Sequence, residues 1–193
     1  MRAHCNLISG FAALALVIPP FRAGAAEQFK LNVSQQHIPE AGLVTNCLLV
    51  TAREKYSFLP PANWRIESDE AARKVSLVLA DGTVIAIQIK DVALGTAAGQ
   101  TQAQLRDQVL ARFPGASILA ESVCFAEAGE GQAFDLEWDA GNGTRFATRF
   151  AVFSVSGEII EVVLTTKPEK FHSHHATFTG LLNTFRIAPT GQR

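Results

Sequence analysis

The hydrophobic pattern is densest from Thr144 to Ile187, and the rest of the chain is read outward from there. Arg145–Val155 (RFATRFAVFSV) and Glu158–Thr166 (EIIEVVLTT) are rich in Phe, Val, Ile and Thr, residues that suit a pleated surface. Ser156-Gly157 between them supplies the positive φ of a tight turn, so the pair reads as a hairpin. Thr166-Lys167-Pro168-Glu169 then offers a capping oxygen, a proline at the first helical position and a Glu reaching back, which predicts a helix starting there. Phe171, Phe178, Leu181, Leu182 and Phe185 fall on one face of that helix.

Upstream, Leu43–Thr51 reads as a strand and Tyr56-Ser57-Phe58 leads into a corner at Pro60-Pro61, where ladder bonding is blocked. Lys74–Ala80 and Thr83–Ile89 flank Asp81-Gly82, a hairpin signal of the type I′ class; Val75, Leu77 and Leu79 share one face and Ile85, Ile87 and Ile89 another. Thr101 with Gln104 makes a capping box, and Leu105, Val109, Leu110 and Phe113 form a helical stripe that Pro114-Gly115 ends. Ser117–Phe125 and Gln132–Trp138 complete a four-strand antiparallel meander with the hairpin. In the second of these, Phe134, Leu136 and Trp138 alternate with Ala133, Asp135 and Glu137, whose face reads as the wet one. The expectation is an α+β fold, an antiparallel sheet with helices packed against it, as one domain over residues 43–187. Residues 26–42 read as a loosely held segment with one strand at Phe29–Val33, 91–99 as a connecting loop, and 188–193 as a polar tail.

The first residues change the setting. Met1-Arg2, the apolar run Leu7–Pro20 and Ala23-Gly24-Ala25 read as a secretory signal peptide over residues 1–25, with cleavage before Ala26. The run is too short to span a bilayer, and no later stretch approaches the roughly 20 apolar residues required, so no membrane insertion is expected after cleavage. Cys5 precedes the apolar run, which is not the position of a lipid-modified cysteine. Losing Arg2 and Arg22 leaves 15 basic against 18 acidic residues, a net charge of −3. That balance supplies no basic stripe for nucleic acid and no polybasic patch for anionic lipid. Periplasmic or extracellular localisation follows from the leader. Of three cysteines, Cys47 and Cys124 survive processing, and an oxidising compartment permits a disulfide between them; two buried thiols are the other reading, and spacing leaves both open.

Candidate chemistry is sparse. His172, His174 and His175 invite a metal reading, but at helical spacing only His172 and His175 share a face, and two ligands make an adventitious site unless a carboxylate such as Glu169 joins. Asp135 and Glu137 would lie about 7 Å apart on one strand face, a spacing compatible with a glycosidase pair, yet theirs reads as the solvated side. No nucleophile elbow, H-E-x-x-H helix or phosphate-cradling glycine loop occurs. Trp64 should plug one end of the core, and Trp138, beside a turn, is a core residue or an interface aromatic.

Tyr56-Ser57-Phe58 followed by Pro60-Pro61 and Trp64, the late meander, the Pro168-initiated helix, and Phe178 with Leu181-Leu182-Asn183-Thr184-Phe185 together resemble the PsbP-like superfamily, which includes the Mog, DcrB-type and LpqN proteins. The resemblance implies an α/β/α sandwich and proteins that mostly bind or stabilise other proteins, with no shared catalytic site; members use different surfaces, so it assigns no functional residue, and no cofactor is expected. The expected role is an exported, non-enzymatic binding or assembly protein of the bacterial cell envelope acting on an envelope protein. The alternatives are a small hydrolase or metal-dependent enzyme using the histidines or strand carboxylates, and a small-ligand carrier with a pocket between sheet and helix.

Overall fold

The computed structural model describes residues 29–40, 42–92, 101–141 and 143–189. The leader expected over 1–25, most of the connector expected over 91–99 and the end of the tail lie outside the described residues. Eleven strands and two α-helices are described, and none of these helices is long and apolar enough to cross a membrane.

Two antiparallel sheets form the frame. The smaller has the order β1-β2-β3-β11, from Lys30–Ile38, Gly42–Val50, Lys55–Phe58 and Arg186–Ile187. The larger has the order β4-β5-β6-β10-β9-β8-β7, from Arg65–Asp69, Lys74–Val78, Val84–Asp91, Glu158–Thr166, Arg145–Val155, Gly129–Asp139 and Ser117–Ala126. The expected meander is its last four strands. The proline corner carries the chain from one sheet to the other, with Asn63 in the left-handed region at φ 67.

The hairpin β9–β10 turns through Ser156 and Gly157 at φ 51 and 76, the double positive φ of a type I′ turn. The β5–β6 turn differs from expectation. Only Gly82 has positive φ there, at 87, and its N–H donates to the Leu79 carbonyl at 3.0 Å while the Leu79 N–H donates to that of Thr83 at 2.9 Å. This is a type I turn closed by a glycine bulge, a longer loop than the two-residue one. The two apolar sets also share one face: Val75 pairs with Ile87 and Leu77 with Ile85, all buried in one cluster. Antiparallel partners point the same way, so alternation within each strand did not separate them.

One face of the larger sheet packs on the smaller sheet and the closing helix α2 (His175–Thr184), forming the main core. Phe185 lies over Tyr56 and Phe58, with ring centroids 5.5 and 5.9 Å apart. The other face carries α1 (Gln102–Arg112), whose Thr101–Gln104 capping box is formed, over a second cluster of Val109, Phe113, Phe134, Leu136, Phe150 and Val163. Helix, sheet, then sheet and helix make the α+β sandwich. Ion pairs reach across each layer. Glu158 on β10, fully buried, accepts from Tyr56 Oη at 2.9 Å, Thr51 Oγ1 at 3.0 Å and Arg73 Nη2 at 2.8 Å, tying the small sheet to the large one.

Four further expectations change. The last helix does not begin at Pro168: two 3₁₀ turns, Pro168–Lys170 and His172–His174, precede α2. Thr166 is still in the ladder, and its hydroxyl meets that of Thr83 at 2.8 Å instead of capping, which leaves Lys167 without a side-chain cap. Residues 30–38 pair with β2 along their whole length although their side chains are mostly exposed, so the loosely held segment is a longer strand than its polar sequence indicates. Ala188 is buried and its N–H donates to the Lys55 carbonyl at 2.7 Å, so the sheet holds the start of the expected tail. Finally, the Ala133–Asp135 face of β8 is not wet. It faces α2, and Asp135 is 14% exposed.

Candidate functional site

A groove of about 250 Å³ runs between α2 and β7, the outer strand of the large sheet. Phe178 and Leu182 of α2 form its apolar wall and Ser122 and Cys124 of β7 the opposite one, with Arg149 and His175 also lining it. The helix lies here because its stripe of Phe178, Leu181 and Leu182 must be buried, and the exposed residues Thr179 and Asn183 are left along the rim.

Arg149 projects from β9 opposite Asp135 on β8. Its Nε and Nη2 donate to the two Asp135 oxygens at 2.7 and 3.2 Å, a forked pair that is sequestered on both sides. Nη1 meets the His175 ring. Burial and then the neighbouring guanidinium hold the His175 pKa below its ordinary value, Asp135 opposing, so the imidazole is neutral and free to accept from Arg149. The cluster therefore consumes its own charge: acid, base and cation are bonded to one another.

Cys124 packs against the main core, and burial pushes its thiol up to about 11 although Arg149 acts to lower it; burial does the same to Cys47. Neither is a thiolate at neutral pH, so neither is an activated nucleophile. The two are free thiols on different sheets.

The other sequence candidates are dispersed. His172 is exposed on its 3₁₀ turn, while His175 is engaged by Arg149; among the described residues no group of three metal-ligating side chains is found. His174 lies edge-on to Trp64 and 3.8 Å from Asp81, whose carboxyl is held below the usual range by hydrogen bonds from Lys170 and Thr83. Glu137 pairs with Arg145 at 2.5 Å and Glu121 with Arg106 at 3.1 Å. Trp138 is half-buried beneath α1: its Nε1 donates to Thr148 at 3.0 Å and its ring stacks on Phe146. Trp64 packs on the main core.

What the sequence reading missed is the outer edge. On β7, Leu119, Val123 and Phe125 are 59%, 47% and 63% exposed, and a bulge between Ile118 and Ala120 turns Leu119 out of the ladder. Ser117–Phe125 has only Glu121 as a charge, a visible signal of an unguarded edge had its place in the sheet been known.

No protein-family model matches the chain, and no curated protein matches it in sequence. Solved structures do match in fold. LpqN, involved in cell envelope biogenesis of Mycobacterium tuberculosis, aligns at 12% identity over 82% of this chain and 92% of its own, with a TM-score of 0.51. A cyanobacterial PsbP from Synechocystis aligns at 13% over 89% and 99%, and the Ran-binding protein Mog1p of Saccharomyces cerevisiae at 8% over 83% and 98%, each with a TM-score of 0.49. The LpqN likeness carries the comparison. At such identity it establishes the fold alone: this chain is an α+β sandwich sharing the fold of LpqN.

Proposed function

We propose that the protein is an exported, non-enzymatic binding or assembly protein that acts on another protein of the cell envelope. One observation carries the reading: of the eight exposed large apolar residues among the described residues, six lie on two elements, Leu119, Val123 and Phe125 on β7, and Val33, Ile38 and Leu43 on the β1–β2 hairpin. Clustered apolar exposure of this kind marks interaction surfaces. The polar groups beside the groove are already bonded to one another, as in a structural cluster rather than a poised acid–base pair. The leader pattern over residues 1–25 supports export, and the fold shared with an envelope protein is consistent with that setting.

The test is affinity capture from envelope extract with the wild type, Phe125→Glu and Leu43→Glu. A stoichiometric partner protein lost with one of the two variants is expected. Absence of any partner, together with turnover of a substrate that depends on Arg149 or His175, would overturn the reading.

The groove itself favours a second reading, a carrier of a small apolar ligand with a hydrogen-bonding end directed to Arg149. Native mass spectrometry of the purified protein would then show a bound small molecule, displaced by Leu182→Trp.

A further inference from the structure

We infer that the β7–α2 face is a two-fold interface, and that its occupant is a second copy of this chain, added edge to edge to the seven-stranded sheet. This rests on the reading of that face as a protein-binding surface and names what covers it.

The four sheet edges are treated differently by the sequence. β4 is five residues long and carries Arg65, Glu67 and Asp69; β11 is two residues; β1 is studded with Lys30, Asn32, Gln35 and Gln36. Short strands and polar side chains are the usual guards against edge pairing. β7 is less guarded: it is ten residues long, without proline or basic residues, its bulge lies near one end between Ile118 and Ala120, and it pairs with β8 alone among the described residues. Its one charge, Glu121, is already neutralised by Arg106 and bonded by Gln102 at 2.7 Å.

A second, independent feature adjoins it. The exposed face of α2 carries Ala176, Thr179, Gly180 and Asn183, and the whole helix has no Asp, Glu, Lys or Arg. A surface helix normally has charge on its outer side, and depletion of charge marks the core of an interface. Gly180 is exposed in mid-helix, and a Cβ there would meet nothing within 4 Å. The monomer gives it no packing role, while a neighbouring backbone would.

The strand is complementary to itself. Antiparallel pairing about Ser122 sets Ala120 opposite Cys124 of the second copy, and Glu121, already neutralised, opposite Val123. It also brings Leu119 toward Phe125 of the second copy, so apolar meets apolar and no like charges meet. The side chains on the α2 side of β7 are Ala120, Ser122 and Cys124, small enough for the two α2 helices to approach across the axis. A ten-residue strand spans about 33 Å and a ten-residue helix about 15 Å. Together they offer on the order of 500 Å² from each copy, near the lower limit of a specific interface. An interface of that size makes a reversible dimer.

Sedimentation velocity of the purified protein from about 1 to 200 μM, with hydrogen exchange at both ends of the range, tests this. The expected result is a shift from monomer to dimer mass, with β7 amides protected only in the dimer. Phe125→Glu and, separately, Gly180→Arg should hold the protein monomeric at 200 μM, while Leu43→Glu, equally exposed on the other surface, should not. Circular dichroism and thermal melting are the check that each variant is folded. A folded wild type that stays monomeric throughout overturns the inference, as does a dimer that Phe125→Glu and Gly180→Arg leave intact. A monomer whose β7 is protected only by a different protein also overturns it, but leaves the binding role standing.

Discussion

The buried carboxylate of Glu158 ties the small sheet to the large one, which makes Tyr56→Phe the sharpest test of that link. Glu158 is fully buried on β10 and receives three hydrogen bonds, from Tyr56 of the small sheet, from Thr51 just beyond β2 and from Arg73. Tyr56→Phe deletes the 2.9 Å bond alone and keeps the ring stacked on Phe185. Hydrogen bonds to a charged group contribute about 1.5–3 kcal/mol, so the variant should unfold that much more easily, with a melting point roughly 3–12 °C lower at about 2–4 °C per kcal/mol. Glu158→Gln goes further, removing the charge that faces Arg73 from a buried site, and should cost about 3–5 kcal/mol. Urea titration followed by the fluorescence of Trp64 and Trp138, on opposite faces of the large sheet, gives both values and reports whether the layers separate together. A Tyr56→Phe cost under about 0.5 kcal/mol, or a Glu158→Gln cost no larger than it, would refute the argument that this carboxylate joins the sheets.

Three other outcomes follow from the structure. Because His175 is held neutral below its ordinary pKa of 6.5, the unfolded chain binds its proton first as pH falls; stability should be full above about pH 6.5 and decline below it, and His175→Asn should flatten that slope in pH-dependent melts. Cys47 and Cys124, with thiols pushed up to about 11, should resist alkylation at pH 7.5 in the native state, and both should react on unfolding without reductant; a mass two hydrogens short would contradict the free thiols. Gly131→Ala should destabilise by at least about 1–3 kcal/mol, because its Cβ would lie 2.2 Å from the Val152 carbonyl oxygen and 2.7 Å from Phe153, and unchanged stability in urea would count against the β8–β9 packing.

Much of the fold was legible because its signals are local. The Ser156-Gly157 turn, the Thr101–Gln104 capping box, the proline corner and the buried stripe of α2 each depend on neighbours within a few residues. Coverage was not legible. Alternation along β8 shows that Asp135 and Phe134 face opposite ways, but what roofs Asp135 is a helix some 40 residues later in the chain. Arg149 passed unremarked for the same reason: between Thr148 and Phe150 it reads as a polar interruption, and its meaning comes from Asp135 and His175. Likewise Phe125 looks like any strand phenylalanine until β7 is known to be the outermost strand. The 3₁₀ start of the last helix depends on Thr83, a turn away in the other hairpin, which claims the Thr166 hydroxyl.

The central claim is that the molecule recognises protein through the β7–α2 face and does not transform a substrate there. Site-specific photo-crosslinking from position 123, in the cells that make the protein, tests it most directly, with position 67 on the charged β4 edge as the control. The account predicts discrete protein adducts from position 123 and none from 67. No adduct at 123, or equal adducts at both, would contradict it.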